Sequence, residues 1–396
     1  IRQCNTIPGP QIIIIDFCYY MAGIYIHIPF CRKLCHYCDF HRSIHTGNIN
    51  AFLDALIKEI DLRENYLVNE PAETIYFGGG TPSILKIPEI NLVIAKLSEK
   101  FRLAPDAEIT FEANPDDLTT DYLNELRKST IINRLSIGVQ SFNDADLALM
   151  NRRHNSLQSV QCVKDAQRAG FSNISIDLIY GIPGMTAGKW TANLRHAINL
   201  DVPHISAYHL TFEPGTAFYK YLSEGKFTRP TEDESLKQYE ILMNITRKNK
   251  FIHYEISNFA KEGLYSRHNT NYWKQKKYLG LGPSAHSYNL ISRQWNIADN
   301  KKYIDGINKG FPFTEKETLG IKTRFNDYLL TSLRTMWGAD LKYIENTFGT
   351  EYSAYLSARI TKFLSAKTMI KDINVLRLTD KGKFISDYII SDLIFV

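Results

Sequence analysis

The chain has 396 residues, 44% of them apolar and 22% charged, with 47 Lys and Arg against 42 Asp and Glu for a net charge of +5. That length accommodates two or three domains, and the composition excludes a disordered or fibrous chain. The basic excess is small and both signs mix along the sequence; Lys33, Lys276 and Lys277 read as short solvated clusters, so no nucleic-acid partner is expected.

Residues 1–20 read as a non-native or upstream extension, with Met21 the functional start and Cys4 and Cys18 incidental. The apolar run Ile12–Ile15 is cut by Asp16, far short of the ~20 residues of a membrane span, and no secretory signal is visible. Six cysteines are too sparse for a disulfide scaffold, and a cytoplasmic location, where thiols stay reduced, is expected. Strands are predicted at 24–28, 74–77, 108–112, 134–139, 173–179 and 204–210. Between and after them, helical periodicity marks 50–67, 88–100, 119–128, 156–169, 188–199 and 231–248. Six strand–helix units predict an α/β fold with a parallel sheet, curled into a barrel or opened as a doubly wound sheet; periodicity does not choose.

Past residue 250 the pattern changes. Residues 253–259 alternate like one strand, and 315–336, 340–348 and 351–366 read as helices. A hairpin at 369–372 and 375–378 turns around Asn374, and a final helix starts at a Thr379/Asp380 cap. This order resembles a winged-helix module. Residues 340–396 carry eight Lys and Arg against seven Asp and Glu, too even a balance for a DNA footprint, so packing against the first domain is expected. The expected division is 21–250, a connecting region 251–314, and 315–396.

Cys31, Cys35 and Cys38 form CxxxCxxC directly after the first strand. Thiolates favour iron–sulfur clusters and zinc. Structural zinc usually takes two separated pairs, and no second pair exists here; a zinc completed by His36 or His41 is the alternative. An electron-transfer cluster wants four cysteines, so three leave one iron of a cube open. An open iron suits S-adenosylmethionine (SAM), whose amino and carboxylate groups chelate it while one electron cleaves the sulfonium bond to a 5′-deoxyadenosyl radical. Gly78-Gly79-Gly80-Thr81-Pro82 follows the second strand, where glycines admit a ligand close to the backbone. Glu112, Gln140 and Asp177 stand at or near strand ends in apolar surroundings, and barrel strand ends share one mouth. Arg152 and Arg153 are both candidate carboxylate partners, Arg153 equally a solvated residue, and Cys162 reads as a small buried apolar side chain.

The strings AGIYIHIPFC-RKL-CHYCDF, YFGGGTPS, FEANPDDL, RLSIGVQSFND, SIDLIYGIPG, YEISNFA, HNTNYW and YLGLGPSAHSY resemble the coproporphyrinogen III oxidase-like branch of radical SAM proteins, across residues 21–396. The resemblance implies a partial (β/α)6 barrel at 21–250 with a C-terminal winged-helix-like domain at 315–396. It implies a [4Fe-4S] cluster on Cys31, Cys35 and Cys38, and SAM against Tyr25, Gly79, Gly80 and Glu112. A second SAM would meet Tyr37, Thr81, Gln140, Arg152 and Asp177, with Thr211 and His286 at further SAM-contact positions.

Two departures separate branches of the family. The oxidases have a further cysteine where Phe40 stands, and a longer substrate-covering segment before the position of Met21. His268-Asn269-Thr270-Asn271-Tyr272-Trp273 instead fits the HNxxYW signature of the heme chaperones of this branch. Imidazole ligates heme iron, which makes His268 the candidate heme contact. The implied partners are heme, heme-acceptor proteins (the membrane being one place for them) and an electron donor, with room for a homodimer. The expected function is heme delivery; the alternatives are oxidative decarboxylation of coproporphyrinogen III and, from another class, nucleic-acid modification.

Overall fold

The computed structural model describes residues 21–67 and 70–396, so the reading of residues 1–20, Cys4 and Cys18 included, lies outside the described residues. All six predicted strands form: β1 (Ala22–Ile28), β2 (Ala72–Gly79), β3 (Leu103–Ala113), β4 (Arg134–Gln140), β5 (Asn173–Tyr180) and β6 (His204–His209). They pair in chain order and run parallel. The crossovers are α1 (Ile49–Leu62), α2 (Ile87–Lys100), α3 (Thr120–Ser129), α4 (Asp144–Leu149), α5 (Ser156–Arg168) and α6 (Ala187–Asn199). After β6 come α7 (Ala217–Ser223) and α8 (Glu232–Lys248). Thr119, Asn155, Thr186 and Thr231 start helices by accepting a backbone N–H three residues on, and Asn155 and Thr231 complete capping boxes with Gln158 and Glu234.

Strand register divides the sheet into two unlike faces. Tyr25 pairs with Tyr76, Tyr76 with Thr110, Thr110 with Arg134, Ser136 with Ser175, and Asp177 with Ser206. Side chains alternate along a strand, so these residues share one polar face. The other face carries Ile24, Ile26, Ile75, Phe77, Phe111, Leu135, Ile137 and Ile176, all fully buried, in one cluster with Phe52, Leu56, Val93, Leu123 and Leu194 of the helices. The helices therefore cover the apolar side and leave a polar interior. Helices on one face exclude a doubly wound sheet, and the described strands do not close on themselves, which leaves a partial barrel.

The connecting region extends this sheet at both edges. The predicted single strand 253–259 is instead a hairpin of β7 (Ile252–Glu255) and β8 (Asn258–Ala260), β8 lying antiparallel to β6. Glu255 accepts from the Ser257 and Asn258 nitrogens across the reversal, a turn that simple alternation does not reveal. After α9 (Arg267–Trp273), β9 (Tyr278–Leu281) joins β1 as a seventh parallel strand. Then follow β10 (His286–Tyr288), β11 (Ser292–Asn296), α10 (Asn300–Lys309) and β12 (Thr314–Thr318). The helix expected over 315–336 is shorter: its first residues form the charged edge strand β12, Gly320 intervenes, and α11 covers Ile321–Ser332. Charged side chains are a common protection of a sheet edge.

The chain ends in β13 (Ala339–Asp340), α12 (Leu341–Phe348), α13 (Thr350–Ser365), β14 (Met369–Asp372), β15 (Val375–Leu378), α14 (Asp380–Phe384) and α15 (Ser386–Leu393). The hairpin falls where it was predicted, and β13 completes its three-stranded sheet. The Thr379 hydroxyl caps α14, but the final helix breaks at Ile385 into two. Phe325, Leu329, Ile344, Leu356, Leu376 and Ile389 form a second apolar core. Among the described residues no helix is long and apolar enough to cross a membrane.

Candidate functional site

The loop after β1 carries the three thiols and is closed on itself by backbone bonds, Cys31 N to Ser43 O at 2.9 Å and Ser43 N to Pro29 O at 2.8 Å. Cys31, Cys35 and Cys38 open into a cavity of about 500 Å³ over the C-terminal ends of the parallel strands. Thr81 Oγ1 donates to Cys31 Sγ at 3.4 Å, and Arg152 Nη1 to Cys35 Sγ at 3.2 Å. Burial pushes the Cys31 thiol up, and Cys38 to about 11, while the positive charges of Arg42 and, for Cys31, Arg152 oppose the rise. Cationic donors beside three thiols suit an anionic cluster, because hydrogen bonds to sulfur stabilise the thiolate.

Neither candidate for a fourth zinc ligand faces the thiols. His36 Nδ1 is held by Leu149 O at 2.8 Å and its ring packs on Phe218 and Tyr221; His41 Nε2 is held by Asn300 Oδ1 at 2.7 Å. Among the described residues no three His, Cys, Asp or Glu side chains converge on a point that would hold a single ion. A four-iron cube takes each thiolate at a different corner, so the donor set fits the cluster better than zinc.

The same cavity takes in Tyr37, Gly79, Gly80, Thr81, Glu112, Gln140, Arg152, Asp177 and Thr211. Tyr76 OH donates to Glu112 Oε1 at 2.7 Å and Ser136 Oγ to Asp177 Oδ1 at 3.3 Å. Burial lifts Glu112 to about 7 and Asp177 to about 6, each partly offset by hydrogen bonds and by Arg134. Arg152 also donates to Asn114 Oδ1 at 2.5 Å and Gly138 O at 2.7 Å. Gln140 sits at φ 63, a left-handed conformation uncommon outside glycine, where β4 pairing becomes irregular.

The glycine run has a structural cause as well. Gly79 lies at φ 105, and a Cβ there would fall 2.7 Å from the His27 ring; one on Gly80 would meet Phe30 O at 2.7 Å. Arg153 is not a lone solvated residue: it pairs with Asp116 and Asp117, and Asp117 also holds Arg32 of the cysteine loop at 3.2 Å. Asn114, Asp117, Arg42 and Ser136 were not singled out in the sequence. The first two sit inside FEANPDDL, where a run of polar residues after a strand was the available signal. Cys162 is buried in α5, as expected.

Three expected site residues lie elsewhere. Tyr25 and His286 line a second cavity of about 460 Å³, together with Tyr272, Tyr278, Tyr288 and Arg293. Tyr25 still approaches the first: a Cβ on Gly78 would lie 3.0 Å from its ring and 3.1 Å from Glu112 Oε1. His286 is on β10, its ring stacked on Trp295, so its expected SAM contact is not reproduced by the first cavity. His268 lines neither cavity. It is 1% exposed, its Nδ1 shares a 2.7 Å hydrogen bond with Thr74 Oγ1, and its Nε2 a 2.8 Å bond with Tyr272 OH. With both nitrogens engaged and burial holding the ring neutral down to about pH 3, it presents no lone pair to a heme iron. Its ring stacks on Tyr76, the donor to Glu112, and it fixes Tyr272 of the second cavity. The HNxxYW helix is thus built into the wall between the two.

Comparison with known proteins bears on the family and the fold. Residues 25–196 match the Radical SAM superfamily model. The heme chaperone HemW of Lactococcus lactis is 36% identical over 363 residues, covering 90% of this chain and 93% of its own. HemW of Bacillus subtilis is 34% identical over 371 residues, covering 93% and 97%. The solved structure of coproporphyrinogen III oxidase (HemN) from Escherichia coli, a radical SAM enzyme, has a TM-score of 0.82 at 23% identity, covering 94% of this chain and 90% of its own. At that identity the likeness establishes the fold alone.

Proposed function

Because this chain belongs to the HemW family of the radical SAM superfamily, we propose that it is a heme chaperone, binding heme, a [4Fe-4S] cluster and SAM and passing heme to acceptor proteins. The observation that carries this reading is the likeness to named heme chaperones over nine-tenths of the chain. Cys31, Cys35 and Cys38 would hold the cluster and leave one iron for SAM. Bound there, the pair supplies one-electron cleavage chemistry, driven by an external electron donor.

The chain's own groups do the positioning. Thr81 and Arg152 orient the Cys31 and Cys35 thiols. Glu112 and Asp177, held by Tyr76 and Ser136, are acceptors for ammonium and ribose hydroxyl groups of one or two SAM molecules. Gln140, Tyr37 and Thr211 complete the mouth, and Gly79 and Gly80 offer backbone at close range. His268 is a positioning residue that sets Tyr76 and Tyr272. We divide the chain into a cluster-bearing barrel (21–250), a connecting region (251–314) and a winged-helix-like module (315–396); the separate second core supports the last boundary, while the connecting region shares the barrel's core. A reduced thiol loop suits the cytoplasm.

Heme titration of the full chain, with and without reconstituted cluster, tests the proposal. One heme bound per chain is expected. An anaerobic assay with cluster, reductant and SAM should show no turnover of coproporphyrinogen III; turnover would move the assignment to the oxidases.

A further inference from the structure

The second cavity lies between the barrel and α11. Tyr25 of β1 and Tyr272 of α9 face it from one side, and Leu330 and Thr331 of α11 from the other. Its size is that of a small-molecule site. Two imidazoles reach it. His27 has both nitrogens committed, Nδ1 to Tyr25 OH at 3.2 Å and Nε2 to His41 O at 2.9 Å. His286 is exposed and has no side-chain hydrogen bond to the described residues, its ring oriented by Trp295 at a 28° interplanar angle. A ring nitrogen with no side-chain partner is open to a metal, and imidazole is a common metal ligand.

The charges at the rim have a sign. Arg293 is held by Glu317 at 3.2 Å and Asp327 at 3.5 Å. An adjoining cavity of about 400 Å³ shares Gln275 and Tyr288 with this one and contains Arg324, which has no ion pair among the described residues. A cavity with tyrosine walls, a free imidazole and an unpaired guanidinium in the adjoining cavity matches a planar aromatic ring that bears a metal and peripheral carboxylates. SAM is a poorer match, because its ammonium would have to displace Arg293 from Asp327, the one carboxylate among the described residues lining this cavity.

We infer that this cavity is the seat of heme, with the His286 imidazole as its iron ligand and Arg324 as a propionate partner. The inference rests on the heme-chaperone reading and gives that reading a site. Phe40, 65% exposed, lines both cavities, so cargo seated here lies against the residue that borders the thiol loop.

The test uses the full chain with reconstituted cluster, titrated with hemin and followed by its Soret band and electron paramagnetic resonance. His286→Gly is expected to weaken binding about tenfold or more and to lose the imidazole-type spectrum; added imidazole should restore that spectrum. Thr331→Trp, which fills the cavity, should weaken hemin binding while SAM binding is kept. Arg324→Ala should weaken hemin more than its dimethyl ester. Wild-type spectra and affinity in both His286→Gly and Thr331→Trp, or a His286→Gly loss that imidazole does not restore, would overturn the site while leaving heme binding intact. A wild-type chain that binds no heme would instead sink the chaperone reading itself.

Discussion

The guanidinium of Arg152 reaches from the thiol loop to two strands: Cys35 Sγ, Asn114 Oδ1 and Gly138 O all accept from it. Lysine keeps the charge but cannot fork between three directions. Arg152→Lys should therefore cost about 1–3 kcal/mol in chemical unfolding and speed bleaching of the reconstituted cluster; an unchanged unfolding midpoint would show that the fork is dispensable. Glu112 makes a pH-dependent contribution. Burial raises its folded pKa from 4.5 to about 7, so the folded chain binds more protons than the unfolded one across that window. Stability must then fall as pH rises from about 4.5 to 7. Urea unfolding of Glu112→Gln should match wild type near pH 5 and exceed it at pH 8. A difference independent of pH would remove Glu112 as the cause. Asp177 acts in the same sense over a narrower window, from 3.8 to about 6.

At the scale of elements, the strands were legible because each places apolar residues on one face and polar residues on the other, and helices cover the apolar face. Glu112, Asp177 and the cysteines were legible for the same reason: a polar residue at a strand end or a thiol triplet in a loop has few uses in a packed core. What could not be read is pairing set by distant chain. The segment YLGL has no pattern that announces β9 as a neighbour of β1, and nothing near His268 shows Thr74 and Tyr76 waiting on β2. Glu59 of α1 is another such case. Fully buried, it accepts from Gly282 N at 2.8 Å, Asn296 Nδ2 at 2.7 Å and Tyr303 OH at 2.6 Å, tying β9, β11 and α10 to the barrel. Glu59→Ala leaves Gly282 N and Tyr303 OH without an acceptor and Asn296 Nδ2 with Gly282 O alone, and should cost about 3–5 kcal/mol. Hydrogen exchange should rise first in residues 278–296. Uniform loss of protection across all strands would mean that Glu59 supports the whole sheet, not this extension.

At the scale of the molecule, two apolar cores meet at a junction of modest contacts. Met336 N donates to Tyr254 O at 2.9 Å, and Trp337 packs on Tyr254 and Tyr265 with ring centroids 6.3 and 6.2 Å away. Arg247 pairs with Asp380, and Lys383 Nζ meets His253 Nδ1 at 3.2 Å. The exposed Arg247–Asp380 pair adds little, so the ring contacts, the backbone bond and the part-buried Lys383–His253 bond carry the coupling. Trp337→Ala should remove about 2 kcal/mol, less than a fully buried tryptophan because Trp337 is half-buried. The loss falls on the junction and not on either core, so calorimetry should resolve two transitions where wild type shows one. The second cavity draws its walls from both sides of that junction, and a ligand seated there stabilises only the docked arrangement. Saturating hemin should therefore bring the two Trp337→Ala transitions back together. If hemin raises one transition and leaves the other in place, the ligand sits within a single core and the junction has no part in holding it.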